Sequence, residues 1–281
     1  MQLGCHVGVS GGVENAPPRA AEIKAACMQI FSKNQRQWQV KPLSAASIDG
    51  FRQGVARNGL GPTLIHCSYL LNLASPDEAM WEKSVLGLAV ELERADQLGV
   101  PYITFHPGSP KDAGRDFGVK RVAEGVSKAL ELTAGGQAMV LLETNAGQGN
   151  QVGRTFDELA AMMAGVTHDK HRVGVCFDTC HVFVSGYPLH TAEGYQDTFD
   201  TFDNEVGLEH LKAFHLNDSL VAFDSKRDRH ANIGEGHIGL EPFRWLVNDK
   251  RFAALPGYLE TPVESEADYA KELALLRSLQ T

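Results

Sequence analysis

Long apolar runs are what this 281-residue chain has least of, and no stretch reads as long enough to span a bilayer. Its first apolar run begins at Leu3 and reads as a strand, with no basic segment before it, so no signal peptide is expected. Cysteine is sparse and odd in number. Cys5, Cys27, Cys67, Cys176 and Cys180 show no paired CxxC spacing and mostly lie inside apolar runs. That excludes a disulfide framework and suits reduced thiols in a cytoplasmic protein. Basic residues are outnumbered 26 to 35, and the formal charge of -9 argues against nucleic-acid binding driven by overall charge. Local basic loops remain compatible with it. No GxGxxG follows an apolar run, which removes the usual sign of a dinucleotide-binding open sheet. No linker rich in Pro, Gly or Ser and no low-complexity tract divides the chain, so residues 1–281 are expected to form one domain.

What is present is an alternation, in a chain whose 43% hydrophobic content allows a sizeable core. Strand-like runs fall near Leu3–Val7, Cys27–Phe31, Thr63–Cys67, Tyr102–His106, Ala138–Thr144, Val173–Thr179, Leu211–Leu216 and Tyr258–Thr261, each followed by a helical stretch. The clearest helix is expected to start at Ser75-Pro76-Asp77-Glu78, a capping-box pattern with Pro at the first helical position. Trp81, Val85, Leu88, Leu92 and Ala95 then step by three and four, and Gly99 closes it. Thr155 to Glu158 reads as a similar start, and Ser265 to Leu279 as the last helix. Strand then helix, eight times, is the layout of an α/β protein built as a single (β/α)8 TIM barrel.

The strand ends carry polar residues. His66 ends the third strand, His106 the fourth and Glu143 the fifth; Asp178 and His181 flank the end of the sixth, His215 ends the seventh and Glu260 the eighth. In a barrel all these ends open onto one face, where active sites of this fold are built. The long polar segment from Phe214 to Gly239 adds Asp228 and His230, one residue apart and able to leave an extended backbone on the same side. A lone histidine at a strand end is usually a hydrogen-bonded core or surface residue, and a lone carboxylate usually caps the next helix. Six successive strand ends are not explained that way, and four uncompensated carboxylates in one mouth call for cations. Nitrogen and oxygen donors without thiolate favour zinc or manganese. Nine ligands, at three or four per tetrahedral ion, give two or three metals. Three divalent ions would bring the formal charge from -9 to -3. His6 lines the mouth or plays a structural role with equal weight. His168, His171, His190 and His210 read as surface residues; Cys67 should face away from His66, and Cys176 should pack below Asp178.

The segments GCHVGVSGG (4–12), FSKNQRQW (31–38), HCSYLLNL (66–73), FHPGS (105–109), ETNAGQG (143–149), GVCFDTCHVFVSGY (174–187), HLNDS (215–219), DRHANIGEGHIG (228–239) and LETP (259–262) span nearly the whole chain. In this order they resemble the endonuclease IV family, metal-dependent apurinic/apyrimidinic endonucleases of base-excision repair. The resemblance implies three zinc ions, with manganese an alternative at one site. His66, His106 and Glu143 would hold the first, and Glu143 would bridge to a second that also takes Asp178, His215 and Glu260. His181, Asp228 and His230 would hold the third. Glu143, Asp178 and Glu260 are then the expected catalytic carboxylates. Arg36, Tyr69 and Leu70 would enter the DNA duplex, and Lys111, Arg115, Lys226, Arg227 and Arg229 are expected to meet phosphates. The implied partner is double-stranded DNA with abasic sites or blocked 3′ ends, met by a monomer without a membrane. Cys67 and His237 stand where the family more often has other residues. Metal-dependent sugar isomerases, which gather similar residues on the same barrel, and a damage-recognition module with structural zinc are the rival readings.

Overall fold

The structure, a computed structural model, describes residues 1–281. Strands β1 (Gln2–His6), β2 (Cys27–Phe31), β3 (Thr63–His66), β4 (Tyr102–Phe105), β5 (Met139–Glu143), β6 (Val173–Asp178) and β7 (Leu211–Leu216) are joined by a later strand, β10 (Pro256–Leu259). These eight close into a barrel in the order β1-β10-β7-β6-β5-β4-β3-β2, every pairing parallel. Around it run helices α1 (Ala16–Glu22), α2 (Ala45–Arg57), α3 (Glu78–Leu98), α4 (Arg115–Leu132), α5 (Phe156–Gly165), α6 (Thr179–Ser185), α7 (Ala192–Glu205), α8 (Leu240–Asn248) and α9 (Tyr269–Leu279). The TIM barrel expected from the alternation is therefore present. No helix is long and apolar enough to cross a membrane.

Strand side chains alternate between two cores. Those facing out pack against the helices in one large apolar shell that includes Ile30, Ile65, Ile103, Leu142, Val175, Phe177 and Phe214. Those facing in form a smaller cluster of Cys27, Leu64, Leu141, Cys176, Ala213 and Tyr258. Two residues beyond each member of this inner layer, on the same face, stand Gln29, His66, Glu143, Asp178, His215 and Glu260. The apolar layer is thus the floor of a polar mouth. Cys176 packs below Asp178 as expected, and Cys67 lies in the outer shell, facing away from His66.

Several expectations change in detail. Helix α3 begins later than Ser75, because the Asp77 carboxylate accepts the Met80 N–H at 2.8 Å and so is the N-cap. The Ser75 hydroxyl accepts the Asp77 N–H instead, and Pro76 stays in the preceding turn. Gly99 does close the helix, at φ 71°. The long segment after β7 has structure of its own: Asp218–Ser219 (β8) pairs antiparallel with His230–Ala231 (β9). The fully buried Asp218 carboxylate accepts the backbone N–H groups of Ser219, Gly234, Gly236, Ile238 and Gly239 at 2.7–3.2 Å. One carboxylate thus folds the Gly-rich stretch around itself and carries Asp228 and His230 back over the mouth.

Candidate metal centre

All nine strand-end and loop residues meet in the barrel mouth. Glu143, fully buried, is its hub: Oε2 lies 3.3 Å from His66 Nε2, and Oε1 lies 3.3 Å from His106 Nε2 and 3.1 Å from His215 Nδ1. His215 Nδ1 is also 3.3 Å from Glu260 Oε2 and 3.8 Å from Asp178 Oδ2. On the other side, Asp228 lies 3.2 Å from both His181 Nε2 and His230 Nε2. Asp178 caps α6, accepting the His181 N–H at 2.8 Å, and its other oxygen is 3.8 Å from His230 Nε2. Two groups match the expected sets, His66–His106–Glu143 and Glu143–Asp178–His215–Glu260. The expected third set is divided: Asp178 rather than Asp228 groups with His181 and His230, so Asp178 stands between two groups, while Asp228 groups with His230 and Cys180. Cys180 comes within reach of Asp228 and His230, but burial pushes its thiol well up and its sulfur faces the Arg229 carbonyl at 3.7 Å.

The imidazoles are oriented by the bonds made on their far nitrogens. His66 Nδ1 lies 2.8 Å from the Cys67 carbonyl, His181 Nδ1 2.9 Å from the Thr144 carbonyl and His230 Nδ1 3.3 Å from the Glu260 carbonyl. His215 is reversed: its Nε2 is 2.6 Å from Gln29 Oε1, and its Nδ1 turns inward. A carbonyl can only accept, so each far nitrogen carries the proton and each inward nitrogen offers a lone pair once neutral. Gln29 also donates from Nε2 to Glu260 Oε1 at 2.5 Å and to His6 Nδ1 at 3.0 Å. His6 therefore borders the mouth but joins no ligand group, and burial lowers it to about 4, a neutral acceptor. Gln29 escaped the sequence reading, although it sits two residues beyond Cys27 on an inward face.

These residues fit metal ions. His181 Nε2, His230 Nε2 and Glu143 Oε2 are buried without a hydrogen-bond partner, which costs about 1–3 kcal/mol each if nothing else meets them. Ligands 2.0–2.1 Å from a tetrahedral ion stand roughly 3.3–3.4 Å apart, close to the separations in this mouth. Without ions the charges lean on one another. Burial opposes charge on His66, His181 and His215, yet Glu143, Asp178, Asp228 and Glu260 among them hold all three imidazoles above their ordinary range. His230 is raised to about 9 by Asp228 and Asp178 against the same burial. Burial likewise opposes the Glu260 charge, and His215 and His66 bring it down to about 2.

Around the mouth, Tyr69 is 63% exposed with its ring centroid 5.3 Å from His66 and 5.8 Å from His106. Leu70 is half-buried and Arg36 exposed. Lys33, in the loop that carries Arg36, is buried against Glu91. Arg115 is paired with Glu158, and Lys226 with Asp224 and the Ser185 carbonyl. That leaves Lys111, Arg227 and Arg229 as exposed cations of the set. His171 and His190 are exposed, and His168 and His210 partly so, all outside the ligand groups.

A barrel with candidate metal ligands gathered in its mouth defines a class, and residues 17–279 match the family model described as xylose isomerase-like TIM barrel. The chain is 46% identical over 279 residues to a probable endonuclease 4 of Chloroflexus aurantiacus, covering 99% of this chain and 98% of that protein. A probable endonuclease 4 of Chloroflexus aggregans is 47% identical over 280 residues, at 99% and 97% coverage. The crystal structure of endonuclease IV from Thermus thermophilus superposes with a TM-score of 0.89 at 37% identity, covering 99% and 98% of the two chains. The chain belongs to the endonuclease 4 family, a family of nucleases.

Proposed function

We propose that this chain repairs double-stranded DNA by hydrolysing the phosphodiester 5′ to an abasic site, leaving a 3′-hydroxyl and a 5′-deoxyribose phosphate. The same centre would remove 3′-phosphate and 3′-phosphoglycolate blocks. The observation that carries this reading is the meeting of all nine candidate ligand side chains in the mouth of a barrel of this family. His66, His106 and Glu143 would hold one zinc; Glu143, Asp178, His215 and Glu260 a second; and His181, Asp228 and His230 a third, with manganese an alternative at one of them. Bound zinc supplies Lewis acidity and lowers the pKa of water to about 7.

The chain's own residues prepare that chemistry. Glu143, shared between two groups, sets their spacing. Gln29 and the carbonyls of Cys67, Thr144 and Glu260 hold the imidazoles in the ligating tautomer. Asn217 donates to Asp178 Oδ2 at 2.7 Å and accepts the Glu260 N–H at 3.0 Å, tying two ligands together. Replacing Gln29 by Leu is expected to cost about 10- to 100-fold in metal affinity, read by competition with a chromophoric chelator. Unchanged affinity would show that Gln29 does not orient His215.

Tyr69, Leu70 and Arg36 would fill the space left when the abasic nucleotide turns out of the duplex. Base–aromatic contacts are worth about 1–3 kcal/mol, so Tyr69→Ala should lower kcat/KM on abasic duplex roughly 5- to 150-fold. Arg36→Ala should act in the same direction, with metal content unchanged in both variants. Wild-type DNA kinetics would leave these side chains without that role. The five cysteines are all buried and unpaired, which supports a cytoplasmic protein, read here as a monomer of one domain. The reaction itself is tested on the product: a strand cut at an abasic site should be extended directly by a DNA polymerase. An unsaturated aldehyde at the 3′ end would mark a lyase and contradict the proposal.

A further inference from the structure

Four polar side chains outside the metal groups are buried beneath the segment that carries Arg36. Ser32 and Lys33 follow β2, and Glu91 and Arg94 come from α3. Lys33 Nζ and Glu91 Oε1 lie 3.5 Å apart, their side chains 2% and 0% exposed. The Ser32 hydroxyl donates to Glu91 Oε2 at 2.5 Å and accepts from Arg94 Nε at 2.8 Å. Arg94 also donates to the Ser32 carbonyl, and to the Lys41 carbonyl at 3.3 Å. One helix therefore grips the segment at both entry and exit.

The same helix holds its middle and its neighbour. A Cβ on Gly87 would lie 3.5 Å from the Trp38 ring and 2.7 Å from Leu71 Cδ2, so both residues pack where α3 has no side chain. Lys83 Nζ sits 4.5 Å from the Trp38 ring centroid. Beyond Tyr69 and Leu70, the Asn72 N–H donates to Ser84 Oγ at 3.0 Å. Ser68 then clips the two segments together, donating from Oγ to the Gln35 carbonyl at 2.7 Å while accepting the Leu70 N–H at 3.2 Å.

A buried ion pair is a poor source of stability, because apolar residues of similar volume often serve as well or better. What it supplies here is a fixed placement. We propose that Glu91, with Lys33 and Arg94, is a positioning network that sets the Arg36 segment against the Tyr69–Leu70 segment on α3 before DNA arrives. Such preorganisation lowers the ordering cost of binding. The proposal rests on the reading above, that these three side chains enter the duplex.

The test uses the metal-loaded protein with Glu91→Leu and Lys33→Met combined, so that one charge of each sign is removed together and Arg94 keeps its acceptors on Ser32 and Lys41. Hydrogen exchange of residues 33–41, metal content, thermal midpoint, KM and kcat on abasic duplex are measured together. The double variant is expected to keep its metals and its midpoint, and to exchange faster across 33–41. KM should rise about tenfold, with kcat changed less than about threefold. Wild-type exchange and KM would overturn the positioning role while leaving the function intact. Failure of the unmodified protein to incise would instead bring down the functional reading beneath it. If the double variant does not fold, Ser68→Ala, which cuts the clip without touching charge, should give the same KM shift. A wild-type KM there overturns the proposal.

Discussion

Glu260→Gln is expected to abolish incision while the barrel remains folded. The carboxylate sits where β10 delivers it, with Oε1 2.5 Å from Gln29 Nε2 and Oε2 3.3 Å from His215 Nδ1. Its low pKa keeps it anionic throughout the neutral range. Glutamine keeps the shape but removes an anion from the group of Glu143, Asp178 and His215, so the ion there is lost or loosened. Losing Lewis-acid stabilisation of about 4 kcal/mol corresponds to roughly a thousandfold in rate. Circular dichroism should be unchanged and metal content lower. Full activity with full metal content would break the assignment of Glu260 as a ligand.

Removing the metals is the second large effect, and its pH dependence has a definite sign. In the metal-free protein the imidazoles of His66, His181, His215 and His230 take up charge against the surrounding carboxylates. A raised histidine stabilises fully below its unfolded value of 6.5, and for His230 that contribution is lost as pH rises through about 9. The depressed carboxylates run the other way: the contribution of Glu260 is present above its unfolded value of 4.5 and lost as pH falls toward about 2. These pairs therefore hold the metal-free mouth best between 4.5 and 6.5. Metal binding needs neutral imidazoles, so it must displace protons. Zinc uptake at neutral pH should release protons, measurable by calorimetry in buffers of different ionisation enthalpy, and affinity should climb as pH rises toward 9. Uptake without proton release would contradict this charge arrangement. Chelation should also lower the thermal midpoint and abolish incision, with zinc restoring both.

Much of this was legible in the chain because a parallel barrel leaves two plain marks, apolar runs at regular intervals and polar residues where they end. Strands β2 and β7 fall where the apolar runs put them. The eighth strand starts two residues earlier than read, because Pro256 and Gly257 pair with Gln2 and Leu3 and the Glu260 end of the run lies past the ladder. Gln29 was hidden by its amide, which has no charge to draw notice inside an apolar strand, yet the inward alternation from Cys27 points to it. Asp218 and its five N–H partners depend on a chain reversal that spacing does not reveal. The burial of Lys33, Glu91 and Arg94 is not legible in the chain, because charged residues are seldom buried. Only the approach of α3 to the end of β2 shows that they satisfy one another.

The most direct test is incision of a duplex oligonucleotide carrying one tetrahydrofuran abasic analogue, with metal content determined on the same preparation. The analogue cannot undergo β-elimination, so a lyase cannot mimic the result. Cleavage 5′ to the lesion with a 3′-hydroxyl, lost on stripping the metals and regained with zinc, is the outcome predicted here. An intact strand after incubation with fully metal-loaded protein would contradict it.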